Sequence, residues 1–592
     1  MRILFMTHTF NSLCQRLFLE LTNRGHEVSI EYDINDAVTT EAVALYGPDL
    51  IIAPYLKRAI PETIWRHYVC LVIHPGVKGD RGPSALDWAI MNGEKEWGVT
   101  VVQANGEMDA GNIWSSVNFP MRSASKSSLY RNEVTEASTK ALLKAVERFE
   151  HGGFVPEPLD YRRDDVAGKP RPLMTQAIRS IDWAFDDTAT VLKTIRAADS
   201  FPGVLDSISG KPCYLFNAFE EGTLTGVPGA IIAKRNGAIC RATIDGAVWI
   251  THLKEKTSDE RTFKLPASLV LGDMLHNVPE SSALLCRPGI GKTYSEIHYQ
   301  ERDSVGYLHF EFYNGAMNTE QCNRLRDAYR YARSRDTRVI VLMGGADFWS
   351  NGIDLNRIEV ADSPADESWR NINAMNELTH AIITTDTHLT ISALQGNAGA
   401  GGAFLALAAD RVFARNGVIL NPHYKGMGNL YGSEYWSYLL PRRVGKTAAT
   451  ALTENRLPIS TRTAKQLGFI NDHFAANPEE FRQRIVEIAE QSASQHNYCQ
   501  ELASKNRQRQ EDEGVKPLDA YRAEEMERMK LNFYGFDPSY HVARYNFVYK
   551  VPHSWTPLHL ALHRRKDWPE EPARVKSLPR SETHTENTVL NL

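Results

Sequence analysis

Five short apolar runs, "RILFMT", "HEVSIEY", "DLIIAPYL", "VCLVIHP" and "GVTVVQA", recur within the first 105 residues, with helical spacing between the first two in "CQRLFLELTNRG". No other feature constrains the fold as strongly. Strands alternating with helical segments build βαβ units and a mostly parallel sheet. In an open sheet of that kind, loops at the carboxyl ends of the strands are where ligands bind. The first strand is not followed by G-x-G-x-x-G, which argues against a dinucleotide site here.

The texture changes twice downstream. A Pro/Gly/charge-rich connector covers 150–172, and "MTQAIRSIDWAFDDTATVLKTIRAAD" then reads as helix. "PCYLFNAFE", "GAIIAKRNG", "AICRATIDG" and "AVWITHLK" follow as closely spaced short strands, the pattern of a small antiparallel barrel. A looser stretch leads to a third region that opens as strand, Asn-Gly turn, long helix and strand in "YLHFEFYNGAMNTEQCNRLRDAYRYARSRDTRVIVLMGG". From about 515 the sequence reads as a charged helical tail, and "SLPRSETHTENTVLNL" has the composition of a disordered end.

A chain of 592 residues exceeds one hydrophobic core. The expected units are 1–165, 166–275 and 276–592, all α/β or β in class. A net charge of −5 argues against a nucleic-acid surface spanning the chain. Seven scattered cysteines, with no CxxC pair, suit reduced thiols and neither a disulfide framework nor a metal site. The amino terminus lacks a signal-peptide pattern and no apolar run approaches membrane-spanning length, so a cytoplasmic protein without membrane partners is expected.

Two stretches carry chemistry. In the first, "LVIHPGVKGDRGPSALDWAIMNGEKEWGVTVVQANGEMDAGNIW", His74 directly follows an apolar strand and Asp109 follows another. Alone, such a pair is more often structural. The ordered set His-Pro, Gly-Asp-Arg-Gly, W-A-I-x-x-G, G-V-T and D-x-G-x-I resembles the 10-formyltetrahydrofolate-dependent formyltransferases. The likeness runs through "PYLKRAIPETIW" to "IRAADSFPGV" and covers about 1–275. It implies a Rossmann-like catalytic domain, a small OB-like barrel, and His74 and Asp109 as the catalytic pair. An imidazolium can stabilise the tetrahedral oxyanion of formyl transfer, and a nearby carboxylate can keep it charged and relay a proton. The family has Asn two residues before the His; this chain has Val72.

The second stretch pairs "GGADFWSNGIDLNRIE" with "QGNAGAGGAFLALAAD", about 50 residues further on. Alone, the glycine loop would be a tight helix start. Together with "NGAMN", the two segments resemble the crotonase family of enoyl-CoA hydratases and isomerases over about 300–480. The resemblance implies that the backbone N–H groups of Ile353 and Gly401 form an oxyanion hole for an acyl-CoA thioester. Phe404 stands where hydratases keep their first catalytic glutamate, and Tyr424 near where they keep the second. With both carboxylates absent, hydration of an enoyl-CoA is not expected. Tyr424 and Glu434, ten residues on, are the candidates for proton handling, with a core aromatic and a surface acid as the plain alternative.

The fusion of these two halves resembles a family of nickel–iron hydrogenase maturation factors. That resemblance implies transfer of formyl from 10-formyltetrahydrofolate to coenzyme A, loss of carbon monoxide from formyl-CoA, CoA held in a cavity joining both halves, and Gln15 and Arg131 as CoA contacts. Hydrogenase maturation proteins are the implied macromolecular partners. Two other readings stand beside it: formyl transfer to an amine acceptor with a non-catalytic third region, and a non-enzymatic assembly factor.

Overall fold

The computed structural model describes residues 1–259, 261–282, 285–286, 292–566 and 568. Strands β1 (Arg2–Thr7), β2 (Glu27–Tyr32), β3 (Leu50–Tyr55), β4 (Cys70–His74), β5 (Glu96–Gln103) and β6 (Ile113–Pro120) form one sheet in the order β2-β1-β3-β4-β5-β6. Alternate residues of β1 enter different cores. Ile3 and Phe5 meet Leu13, Leu17 and Leu142 of the helices Ser12–Thr22 and Thr135–His151, while Leu4 and Met6 meet Val43 and Tyr46 of Asp36–Tyr46. Burial on both faces explains why these strands read as continuous apolar runs.

Three of the five strand pairings in this sheet are parallel. The first four strands pair in parallel, whereas β4–β5 and β5–β6 are antiparallel. The expectation of a mostly parallel sheet thus fails beyond β4. For β5–β6 the reason is length: residues 104–112 are too few for a crossover, which takes a dozen or more.

The second unit is antiparallel throughout, in the order Val204–Ile208, Lys211–Glu221, Ala247–Glu255, Ala238–Ala242, Ile231–Arg235, with Leu265–Pro266 paired onto Ala247–Glu255. Thr188–Ala198 and Ala267–Leu271 pack on its core. The helix expected from residue 174 begins only at Thr188. Asp182 Oδ1 accepts from the Ala184 N–H, Asp186 Oδ2 from the Asp182 N–H, and Asp187 caps the helix through Thr190. Aspartate side chains compete with helical hydrogen bonding in this way.

The third unit has a main sheet in the order Ile297–Arg302, Val305–Phe310, Val339–Leu342, Leu389–Leu394, Arg411–Arg415, Asp472–Phe474, and a smaller sheet of Phe348–Ser350, Asn397–Gly399, Ile419–Asn421 and Ile459–Ser460. Gly352–Ile353, which pairs with Ala316–Met317, follows the first of these strands, and Gly401 follows the second.

The charged tail is a structural part of the molecule. The helices Leu518–Tyr534 and Ser539–Val548 bury Leu518, Met526, Met529, Phe533 and Tyr540 in the core of the third unit. The chain then returns to the outer edge of β2. The Ile30 N–H donates to Leu560 O at 3.1 Å, and the Tyr32 N–H to Thr556 Oγ1 at 2.9 Å. Buried Glu31 accepts from His563 Nε2 at 2.8 Å, Arg564 Nε at 2.7 Å and the Thr556 hydroxyl. An edge strand is thereby covered. The segment expected to be disordered, 577–592, lies outside the described residues.

Candidate active site

One cavity of about 2260 Å³ lies where the three units meet, and it is lined by His74, Asp109, Ile353, Gly401, Tyr424, Glu434, Gln15 and Arg131. All eight residues singled out in the sequence therefore share one chamber. No wall divides the two candidate centres.

At the first centre, His74 ends β4 and has a carboxylate at each ring nitrogen: Asp80 Oδ2 lies 2.8 Å from Nε2, and Asp109 Oδ2 3.4 Å from Nδ1. An imidazolium there would find an acceptor on both sides. Asp109 lines the cavity from a left-handed backbone (φ 54°), a conformation aspartate tolerates better than most residues, and its Oδ2 accepts from the Gly82 N–H at 3.3 Å. Asp80 was missed in the sequence, although its place in a glycine-bounded loop six residues after His74 was a usable signal. Its side chain is fully buried, and Arg171 Nε stands 3.3 Å from its other oxygen. Gly76 leaves room for the pair, because a β-carbon there would meet Asp80 Oδ2 at 2.5 Å and His74 Nε2 at 2.6 Å.

The connector 150–172 supports this centre. The Gly168 N–H donates to Lys78 O at 2.8 Å, the Arg171 N–H to Arg81 O at 2.9 Å, and Gly168 sits so close that a β-carbon would lie 1.9 Å from Asp80 N. It clamps the loop that presents Asp80.

At the second centre, two backbone segments touch. A β-carbon on Gly352 would lie 3.4 Å from Gly401 N, and one on Gly402 would strike Ser350 O at 2.1 Å. Gly401 opens the helix Gly401–Leu407, so its N–H has no partner inside that helix. Trp349 Nε1 locks the approach by donating to Gly402 O at 3.0 Å.

Phe404 is fully buried and stacks at 5.2 Å on the ring of Tyr424, which lines the cavity. Tyr424 Oη donates to Glu434 Oε2 at 2.5 Å. Burial pushes the Glu434 carboxyl up to about 7, with the Tyr424 hydrogen bond working against that shift and the negative charge of Glu525 adding to it. Burial, with Glu434 beside it, holds the Tyr424 phenol well above its usual range, so it stays protonated. Glu434 is therefore a buried acid, and the surface alternative does not hold.

Gln15 and Arg131 line the same cavity. Gln15 Oε1 accepts from Asn421 Nδ2 at 3.0 Å, joining the first unit to the third. Arg131 Nη1 pairs with Asp347 Oδ2 at 3.1 Å and its guanidinium lies 4.4 Å above the Phe348 ring. Among the described residues no cluster of three or more His, Cys, Asp or Glu side chains could hold a metal ion, and no helix is long and apolar enough to cross a membrane.

Residues 25–146 match the formyl transferase family, 173–264 the formyl transferase C-terminal domain, and 302–531 the enoyl-CoA hydratase/isomerase family. Methionyl-tRNA formyltransferase from Trichlorobacter lovleyi is 26% identical over 40% of this chain and 74% of its own. The class is thus an enzyme that joins a formyltransferase to a crotonase-fold domain. The hydrogenase maturation factor HoxX of Bradyrhizobium diazoefficiens is 53% identical over 97% of this chain and 99% of its own. A crystal structure of HypX from Aquifex aeolicus in complex with tetrahydrofolic acid is 51% identical, covers 96% of this chain and 100% of that one, and superimposes with a TM-score of 0.93. This chain belongs to the HoxX/HypX family of hydrogenase maturation factors.

Proposed function

We propose that this protein moves a formyl group from 10-formyltetrahydrofolate to the thiol of coenzyme A and then removes carbon monoxide from the resulting formyl thioester, for use as a ligand in nickel–iron hydrogenase assembly. The observation that carries this reading is the undivided cavity holding both centres. The tetrahydrofolic acid bound by the Aquifex relative and the maturation role in the Bradyrhizobium relative's name support it.

The chamber fits the two substrates. Lys57, Arg58, Lys126, Arg131, Lys264 and Lys550 line it and suit the phosphates of CoA and the carboxylates of folate. His74, between its two carboxylates, stabilises the oxyanion that develops during formyl transfer, and Asp109 accepts the proton the thiol gives up.

At the second centre, the Ile353 and Gly401 amides donate to the thioester carbonyl oxygen. A formyl thioester has no α-carbon, so the only carbon-bound proton available is the formyl one. Glu434 takes that proton as the carbon–sulfur bond breaks and thiolate leaves, then returns it to sulfur; the products are CO and free thiol. Tyr424 orients the carboxylate and does not itself ionise. Trapping CO with deoxyhaemoglobin tests the scheme: release should require both 10-formyltetrahydrofolate and CoA. Absence of CO, or CO without CoA, would overturn it. A formylated amine would favour amine-directed transfer, and failure to form tetrahydrofolate would favour a non-enzymatic factor.

A further inference from the structure

Glu434 does not reach Gly401 by an ordinary route. It and Tyr435 both adopt left-handed backbone conformations, with φ of 61° and 57°. For residues other than glycine this conformation is strained, so the surroundings must over-determine the turn. Glu525, from the middle of Leu518–Tyr534, supplies most of that restraint. Its Oε1 accepts from the Ser437 N–H at 2.8 Å and the Ser437 hydroxyl at 2.5 Å, and its Oε2 accepts from the Tyr435 N–H at 3.0 Å. The Ser433 hydroxyl lies 3.2 Å from Oε2, sharing its one proton with Asn376 Oδ1, which also accepts the Glu434 N–H at 2.8 Å. Glu525 is fully buried and does not line the cavity.

The two carboxylates are neighbours in an interior with little to neutralise them. Tyr424 and Cys322 face Glu434, and Tyr431 faces Glu525; none of the three carries positive charge. The nearby Arg522 guanidinium is spent on Glu377 and Asn373.

We propose that Glu525 is the positioning residue of the second centre: it locks the Ser433–Ser437 turn that aims Glu434 at Gly401, and its negative charge opposes ionisation of Glu434. Two like charges sharing a dry site cannot both ionise readily. Burial pushes both carboxyls up to about 7, and the charge of Glu525 adds to the shift at Glu434. The inference rests on Glu434 being the proton-handling group of the proposed reaction.

The test is Glu525→Gln, which removes the charge and keeps the shape. CO release from supplied formyl-CoA should fall about tenfold or more, with its pH midpoint moved down by about one unit. Tetrahydrofolate formation and CoA affinity should stay as in wild type. Infrared titration of the protonated carboxyl band assigned through Glu434→Gln should show the same downward move. An unmoved pH midpoint and infrared titration, or an equal loss of both activities with a lowered melting temperature, would overturn the inference. If Glu525→Gln does not fold, Ser437→Ala, which deletes one donor, should weaken CO release without touching tetrahydrofolate formation; no effect there overturns it. Wild type giving no CO at all would overturn the proposed function, and the infrared titration would still decide the effect of Glu525 on Glu434.

Discussion

Glu434 Oε1 lies only 2.2 Å from the point where a β-carbon on Gly401 would be. The acid and the amide proposed to polarise the thioester thus face each other with no room for a methyl group. Gly401→Ala should displace the carboxylate and lower CO release by about a hundredfold or more, in the range seen when one oxyanion donor is lost. Tetrahydrofolate formation should persist, which a paired assay of the two products would read.

The protonation of Glu434 sets a pH dependence. In the proposed reaction the carboxylate is the active form, and burial pushes its pKa up to about 7. CO release should therefore fall as pH drops through 7, approaching tenfold per unit at the acid end. The Tyr424 hydrogen bond works to lower that midpoint, so Tyr424→Phe should move it to higher pH as well as reducing the rate. Glu434→Gln should abolish release. Rate–pH profiles of the three proteins check this.

Asp80→Asn should act on the other centre alone. His74 would lose one of its two carboxylates and Arg171 its buried partner. Tetrahydrofolate formation should fall by about two orders of magnitude, while CO release from supplied formyl-CoA stays intact. Loss of both would show that the two centres are not separable.

Asp347 ties the first unit to the third by accepting from Ser128 Oγ at 2.7 Å, Asn132 Nδ2 at 3.0 Å and Arg131 Nη1 at 3.1 Å. Asp347→Ala should free Arg131 to swing and weaken CoA binding by about tenfold, the worth of one charge-assisted hydrogen bond. Titration calorimetry with CoA, alongside tetrahydrofolate as a control, measures it.

The return of the chain to β2 should matter for stability. His563→Ala removes a fully buried donor to Glu31 and leaves that carboxylate undercompensated. A cost of about 2–4 kcal/mol is expected, read by denaturant melts, with faster proteolysis in 549–566. Tyr549 and Lys550 line the cavity, so CoA binding should weaken in parallel.

The sequence by itself determined the class of fold and named the candidate residues of both centres. Apolar runs and helical spacing specify elements locally, so five of the six strands of the first sheet were legible; β6, whose sequence IWSSVNFP mixes polar with apolar residues, was not. His74 directly after a strand, Asp109 in its motif, and "NGIDL" paired with "GAGGAF" were legible too, because their roles rest on short segments whose backbone geometry is set nearby. The direction of β5 and β6 was harder to read, since pairing sense is not written in an apolar run. The aspartate turns before Thr188 were hidden behind helical periodicity.

Tertiary structure alone decided how these parts meet. Nothing near Glu525 in the sequence links it to a turn about 90 residues earlier, and only the packing of Leu518–Tyr534 brings them together. The same holds for Asp347 on Arg131 and for His563 on Glu31. The physical reason is burial: a charge far along the chain acquires its meaning only when folding removes water from it and supplies the donors it then requires.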